Sequence, residues 1–260
     1  MSVVTKHEPG SFCWPELGTS DAAGAKKFYS GLFGWDANDS PAGPDMVYTM
    51  LQKSGKSVGA LYGLGPQQKG VPPHWNIYVA VVSADETTKK AKELGGNVLM
   101  EPFDVMDVGR MAIIQDKQGA TFCVWEAKKH IGAEIINEPN SLCWAELDTT
   151  DMGSAEKFYT ALFGWGVKRG GEAANETAYT EWQRGGNSIG GMMTIPKEWG
   201  PAPPNWLVYF MVSDVDASAK KAGELGGGGI VPPTDIPKTG RFSVIRDPQG
   251  AVFAIFKPEM

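Results

Sequence analysis

The feature that most narrows what this chain can fold into is that it says the same thing twice. The stretch SFCWPELGTSDAAGAKKFYSGLFGW at 11–35 returns as SLCWAELDTTDMGSAEKFYTALFGW at 141–165, with 15 of 25 positions identical, no gap and a constant offset of 130 residues. A match that dense is an internal duplication. The 260 residues therefore read as two domains, each long enough to bury its own core.

A smaller unit repeats within each half. FCWPEL reads as a strand, and Thr19-Ser20-Asp21 supplies side-chain oxygens for the free N–H groups of a following helix. That helix, AAGAKKFYSGLF, sets Ala25, Phe28, Tyr29 and Leu32 at i, i+3, i+4, i+7, and Gly34 can end it in the left-handed conformation. Strand-like runs follow around Trp35, at 46–51 and at 57–64, with turns at 41–44 and 54–55. After a connection at 66–73 the order restarts: a strand at 75–82, a helix at 84–94 stopped by Gly95-Gly96, then strands at 98–100, 110–115 and 121–125. A second connection, 126–140, leads into the second half. There the helix lies at 153–163, with strands at 179–183 and 188–194. Glu-Leu-Gly-Gly (93–96, 224–227), Gly-Arg (109–110, 240–241) and the DKQG/DPQG turns (116–119, 247–250) mark the last unit of each half.

The expected fold is α+β, four βαβββ modules in two domains. The first domain is 9–128, with modules 11–65 and 74–126. The second is 139–258, with modules 141–195 and 205–257. A doubly wound parallel sheet fits poorly, because three strands joined by tight turns follow each helix.

Composition removes several partners. Net charge is −6 and Lys and Arg are scattered, so neither nucleic acid nor an anionic membrane is expected as a partner. No apolar run is long enough for a membrane span, and MSVVTKHEPGSF lacks the apolar core of a secretory signal. Three cysteines, Cys13, Cys123 and Cys143, give no CxxC and no disulfide framework, which points to the cytoplasm. Cys13 and Cys143 hold equivalent places in apolar strands and read as small buried hydrophobes. Monomer and homodimer are both open.

Leu17, Asp21, Ala25, Phe28-Tyr29, Leu32, Gly34-Trp35, their copies, and the turn Asp247-Pro248-Gln249-Gly250 carry a resemblance to a known family. From about residue 11 to 256 the chain resembles the vicinal oxygen chelate superfamily: glyoxalase I, extradiol dioxygenases, and bleomycin and fosfomycin resistance proteins. The resemblance is to the two-domain, glyoxalase-related type. It implies paired modules curled into open cups lined by first and last strands. It also implies a divalent metal held by His, Gln or Glu on first strands and Glu on a last strand. Here those first-strand positions are Trp14, Asn76, Trp144 and Leu207, and the last-strand positions are Cys123 and Ala254. Trp and Leu cannot ligate, so no metal is expected there and the cofactor expectation is none. Glu126 falls on the opposite face from Cys123 and Trp125, and His7, His74 and His130 lie in a lead-in and two connections.

Strand alternation then names a different site. If Trp14 faces a cup, so does Glu16, and likewise Trp144 and Glu146. Asn76 with Tyr78, Leu207 with Tyr209, Cys123 with Trp125, and Ala254 with Phe256 share faces in the same way. Glu16 and Tyr78 are the candidate catalytic pair. Trp14, Asn76, Cys123, Trp125, Trp144, Glu146, Leu207, Tyr209 and Phe256 are candidate ligand-binding residues. A mostly apolar cup with one carboxylate and one phenol suits a small, aromatic or carbonyl-bearing molecule. The alternative is an enzyme: a lactoylglutathione lyase relative or a dioxygenase, using a metal in an unusual place or Glu/Tyr acid–base chemistry. Equally, each Glu can be a buried carboxyl that Tyr or Trp donors hold in place for the fold. Arg110 and Arg241 are read as partners of Asp104 and Asp235 rather than as anion clamps.

Overall fold

The computed structural model describes residues 3–43, 46–170, 179–200 and 202–259. The first half runs β1 (Phe12–Thr19), α1 (Ala22–Phe33), β2 (Asp36–Gly43), β3 (Met46–Lys53), β4 (Lys56–Gly63), β5 (His74–Ala80), α2 (Ala84–Glu93), β6 (Asn97–Val105), β7 (Gly109–Gln115) and β8 (Thr121–Ala127). The second runs β9 (Leu142–Thr149), α3 (Met152–Phe163), β10 (Gly166–Arg169), β11 (Tyr179–Arg184), β12 (Asn187–Thr194), β13 (Asn205–Met211), α4 (Val215–Glu224), β14 (Gly228–Ile236), β15 (Gly240–Arg246) and β16 (Val252–Pro258). This is βαβββ four times over. No helix among the described residues is long and apolar enough to cross a membrane.

Each half closes into one curled eight-stranded sheet, in the orders β2-β3-β4-β1-β5-β8-β7-β6 and β10-β11-β12-β9-β13-β16-β15-β14. The two modules of a half join where their first strands pair antiparallel, β1 with β5 and β9 with β13. Each first strand also runs parallel to the last strand of its own module, as β1 does to β4 and β5 to β8. First and last strands therefore form the middle of each sheet.

Local chemistry sets the helix ends as the sequence suggests. The Asp21 carboxylate accepts from the Gly24 N–H at 3.0 Å, and Asp151 from that of Ser154 at 2.9 Å. Gly34 and Gly164 end α1 and α3 at φ 70° and 72°, a conformation that costs other residues energy. Three sequence readings shift. Of the turn expected at 41–44, residues 41–43 are strand instead, because β2 continues through Pro41 to Gly43; β2 is an edge strand, where a proline is tolerated. Pro44 lies outside the described residues. His74 opens β5 rather than lying in a connection. Arg110 does reach Asp104 (3.4 Å), but its main partner is Asp85 at the start of α2, at 2.6 and 2.9 Å. Arg241 repeats this with Asp216 and Asp235. Both arginines thus tie a helix start to a hairpin. Glu126, off the cup face as expected, accepts from the Ala84 N–H at the start of α2.

The halves share one apolar core. Tyr29 and Phe33 of α1 pack against Phe253 and Phe210 of the second sheet, with ring centroids 5.5 and 5.3 Å apart. Tyr159 and Phe163 of α3 pack on Phe122 of the first, at 5.5 and 5.8 Å. The Tyr29 hydroxyl donates to Asp247 Oδ2 (2.9 Å) and accepts from Trp75 Nε1; the Tyr159 hydroxyl donates to Asp116 Oδ2 (3.0 Å) and accepts from Trp206 Nε1. Oδ1 of each Asp collects three backbone N–H groups of its turn. Each half's helix is therefore bolted to the other half's last turn. The glycine pairs follow from the same docking: a side chain on Gly96 would meet the Phe158 ring at 3.0 Å, and one on Gly227 would meet Phe28 at 3.1 Å.

Tyr29→Phe and Tyr159→Phe each leave a buried carboxylate oxygen and an indole N–H without their partner. Each should cost about 1–3 kcal/mol in denaturant unfolding, with both halves still melting in one transition. Separate transitions for the two halves would refute the shared core.

Candidate functional site

Each sheet turns one face to the shared core and the other to a cup. On β1, Phe12 and Leu17 enter the core while Cys13 and Trp14 enter a separate cluster with Tyr78, Met111, Cys123 and Trp125. Two adjacent residues share that cup because β1 carries a bulge: Phe12 faces Val79 and Trp14 faces Tyr78, leaving Cys13 extra. The second half repeats the bulge at Cys143.

Glu16 lies deep in the first cup, only 8 % exposed. The Tyr48 hydroxyl donates to its Oε1 and the Tyr78 hydroxyl to its Oε2, both at 2.7 Å, and Trp14 Nε1 donates to Tyr48 at 3.2 Å. Asn76, opposite Glu16 in the ladder, sets its side-chain amide near the carboxyl and helps hold its charge. Burial pushes the Glu16 carboxyl above its ordinary range, and these donors pull part of the way back. Burial and the adjacent carboxylate hold the phenols of Tyr48 and Tyr78 well above theirs, so they remain donors. The second cup copies this arrangement. Tyr209 donates to Glu146 at 2.8 Å, the Tyr179 hydroxyl lies near enough to help hold its charge, and Trp144 Nε1 donates to Tyr179 at 2.9 Å. Tyr179 reaches in because residue 191 is glycine; any Cβ there would overlap its hydroxyl.

Every candidate residue named from the sequence falls into one of these two groups. Trp14, Glu16, Asn76, Tyr78, Cys123 and Trp125 meet in the first, and Trp144, Glu146, Leu207, Tyr209 and Phe256 in the second. Burial raises the Cys13 thiol far above its usual range and that of Cys143 to about 12, which disfavours the thiolate form that reacts.

Several groups were not legible in the sequence. Tyr48 and Tyr179 come from β3 and β11, which offered no signal beyond being strands. Asp148 is buried in the second cup two residues beyond Glu146, which alternation along WAELD could have flagged. His130, placed in a connection, is packed against the first cup: its ring lies edge-on to Trp14 at 4.7 Å and near Trp125 at 6.0 Å. The Trp125 indole donates to the His130 carbonyl, and Ala133 and Glu134 bond to β1 and β4, so this connection lines the rim. A cavity of about 220 Å³ opens beside Cys143 and Trp144. A shallower groove of about 470 Å³ runs along 226–228 and 246–250, but its carboxylate, Asp247, is already held by Tyr29 and its own turn.

The positions where the resemblance implies a metal do not offer a donor set for one. The indole N–H groups of Trp14 and Trp144 are donating to tyrosines, and Leu207 and Ala254 have no heteroatom. Cys123 is a buried thiol that resists ionisation. Among the described residues no three of His, Cys, Asp and Glu converge.

The model of the Glyoxalase/Bleomycin resistance protein/Dioxygenase superfamily matches residues 12–124 and 132–255, and the chain belongs to that superfamily. It is 42% identical over 261 residues to the Mycobacterium tuberculosis protein CFP32, whose name carries the word glyoxylase, covering 99% of this chain and 98% of that one. It is 37% identical to the anthracycline biosynthesis protein DauV of Streptomyces, across 97% and 94% of the two chains. Among solved structures, the Mn(II)-bound glyoxalase from Novosphingobium aromaticivorans superposes with TM-score 0.66 at 17% identity, over 96% of this chain and 82% of that one. An extradiol ring-cleaving dioxygenase from B. fuscum gives 0.68 at 16%, over 100% and 75%. At those identities the two structures share the fold.

Because Glu16 binds its proton more tightly folded than unfolded, stability should be highest below the unfolded value near about 4 and fall as pH rises through the raised folded one. Glu16→Gln should flatten part of that decline in unfolding measured across pH. A profile identical to wild type would show that Glu16 ionises as freely as an exposed carboxyl.

Proposed function

We propose that this chain binds a small aromatic or carbonyl-bearing molecule in its cups without the superfamily's metal. The observation that carries the reading is the pairing of Glu16 with two tyrosine hydroxyls in a pocket walled by Trp14 and Trp125, at strands where the resemblance implies His, Gln or Glu ligands. Aromatic walls supply contact area for a planar ligand, and the Glu–Tyr pair supplies fixed hydrogen bonds that orient it. The relative whose name refers to anthracycline biosynthesis fits this class, since an anthracycline is a planar, carbonyl-bearing polycycle.

A second reading, acid–base catalysis by Glu16 and Tyr78, draws on one observation. A carboxyl raised by burial and joined to a phenol at 2.7 Å is an arrangement that can relay a proton. The two readings part on Glu16→Gln, which under catalysis abolishes turnover while ligand still binds.

The test is elemental analysis of the purified chain together with calorimetric binding of aromatic ketones and α-ketoaldehydes before and after chelator treatment. We expect less than stoichiometric metal and unchanged stability and binding after chelation. Stoichiometric Fe, Mn, Ni or Zn held by Asn76, Glu16 or Cys123 would replace this reading with a glyoxalase or dioxygenase one.

A further inference from the structure

The second cup holds a carboxyl that the first lacks. Asp148 lies on the cup face of β9, two residues past Glu146, and its register partners are Met193 on β12 and Asn205 on β13. It is 3 % exposed, and its Oδ1 has no hydrogen-bond partner among the described residues. In the first cup the same place is Gly18, where a side chain would run into Leu64, the Tyr62 hydroxyl and His74. The fold closes there without a carboxyl, so the fold itself does not require Asp148. A buried carboxyl with an idle oxygen lowers stability, which makes that oxygen a group in want of a ligand.

The titratable groups around Asp148 are Glu146 on its own strand, Tyr179 on β11 and Tyr209 on β13, with the amide of Asn205 beside it. Among the described residues no Lys, Arg or His hydrogen-bonds or ion-pairs with either carboxyl. Two buried carboxyls with no cation between them do not both ionise. Glu146 receives the hydroxyl of Tyr209 and has that of Tyr179 close by, so negative charge is better held there. Asp148, with the poorer set of donors, is where the proton stays. Burial and the nearby Glu146 charge both push the Asp148 carboxyl up, in agreement with that assignment.

We propose that Glu146 and Asp148 hold one proton between them, kept on Asp148, and that the second cup uses it to donate a hydrogen bond to a carbonyl oxygen of its ligand. The recognition half of this rests on the reading of the cups as small-molecule sites. It assigns the two cups different chemistry. The first presents one carboxylate already saturated by phenols, and the second adds a neutral acid with a free donor.

Two measurements on the whole chain test it. The first is an infrared pH titration for the carbonyl stretch of a protonated carboxyl. At neutral pH a band should be present that Asp148→Asn removes, and Glu146→Gln should move its titration to lower pH, because the charge that kept the proton on Asp148 is gone. If Asp148→Asn removes no such band, the proposal is wrong whatever the ligand. The second is calorimetric binding of acetylnaphthalene and ethylnaphthalene, which differ in one carbonyl. Asp148→Ala should weaken the ketone at one site by about tenfold, the scale of one lost hydrogen bond, and leave the hydrocarbon unchanged. In the wild type the ketone's advantage should vanish as pH rises and Asp148 ionises, whereas in Asp148→Asn it should persist. Equal binding of the two compounds, or an advantage that survives Asp148→Ala, overturns the proposal and leaves the cups as binding sites. Binding of neither compound overturns both.

Discussion

The structure depends on a reciprocal clamp. Tyr29 of the first half bonds Asp247 of the second, and Tyr159 of the second bonds Asp116 of the first, each inside a core common to both halves. Each Asp spends one oxygen folding its own turn and the other on the opposite half's helix. Local folding and domain docking therefore share a residue, and neither can relax without disturbing the other. The phenylalanines around each tyrosine add area, and the glycine after each second helix lets those rings approach.

That clamp also fixes which face of each sheet stays open. A sheet has two faces; docking consumes one in each half and leaves the other as a cup. Because β1 pairs with β5 and β9 with β13 at the middle of each sheet, the residues of first strands come to the cup floor. A charged side chain there is tolerated only with hydrogen-bond donors, and tyrosines provide them in both copies, Tyr48 and Tyr78 for Glu16 and Tyr209 for Glu146. The bulge before each Trp rotates the strand so that Cys and Trp both enter the cup side.

From this common plan the two cups diverge at one end. Where the first has Gly18 with Tyr62 and His74 crowding in, the second has Asp148 facing Met193 and Asn205. The first cup also gains the connecting segment as a rim, with the His130 ring set against two tryptophans and its Nε2 buried without a hydrogen-bond partner among the described residues. Duplication kept the parts that hold the sheet together and let the ends of the cups vary.

The sequence by itself determined the modules, the helix ends and the face on which Glu16, Trp14, Tyr78 and their copies lie. These follow from covalent geometry and short-range hydrogen bonds, which act within a few residues: alternation along WPEL or WNIY is a property of any strand. The repeat made each reading checkable against a second copy. It did not reveal that Tyr48 rather than Tyr62 would bond Glu16, since that is set by how far an outer strand curls over the cup. Nor did it place His130, whose position is fixed by a connecting segment folding back on β1, β4 and the turn between β6 and β7 through backbone bonds with no residue signature. The Tyr–Asp clamp was present as two motifs, FY and DPQG, each explicable as local; that they belong to each other across 218 residues was decided only when two sheets buried their apolar faces together.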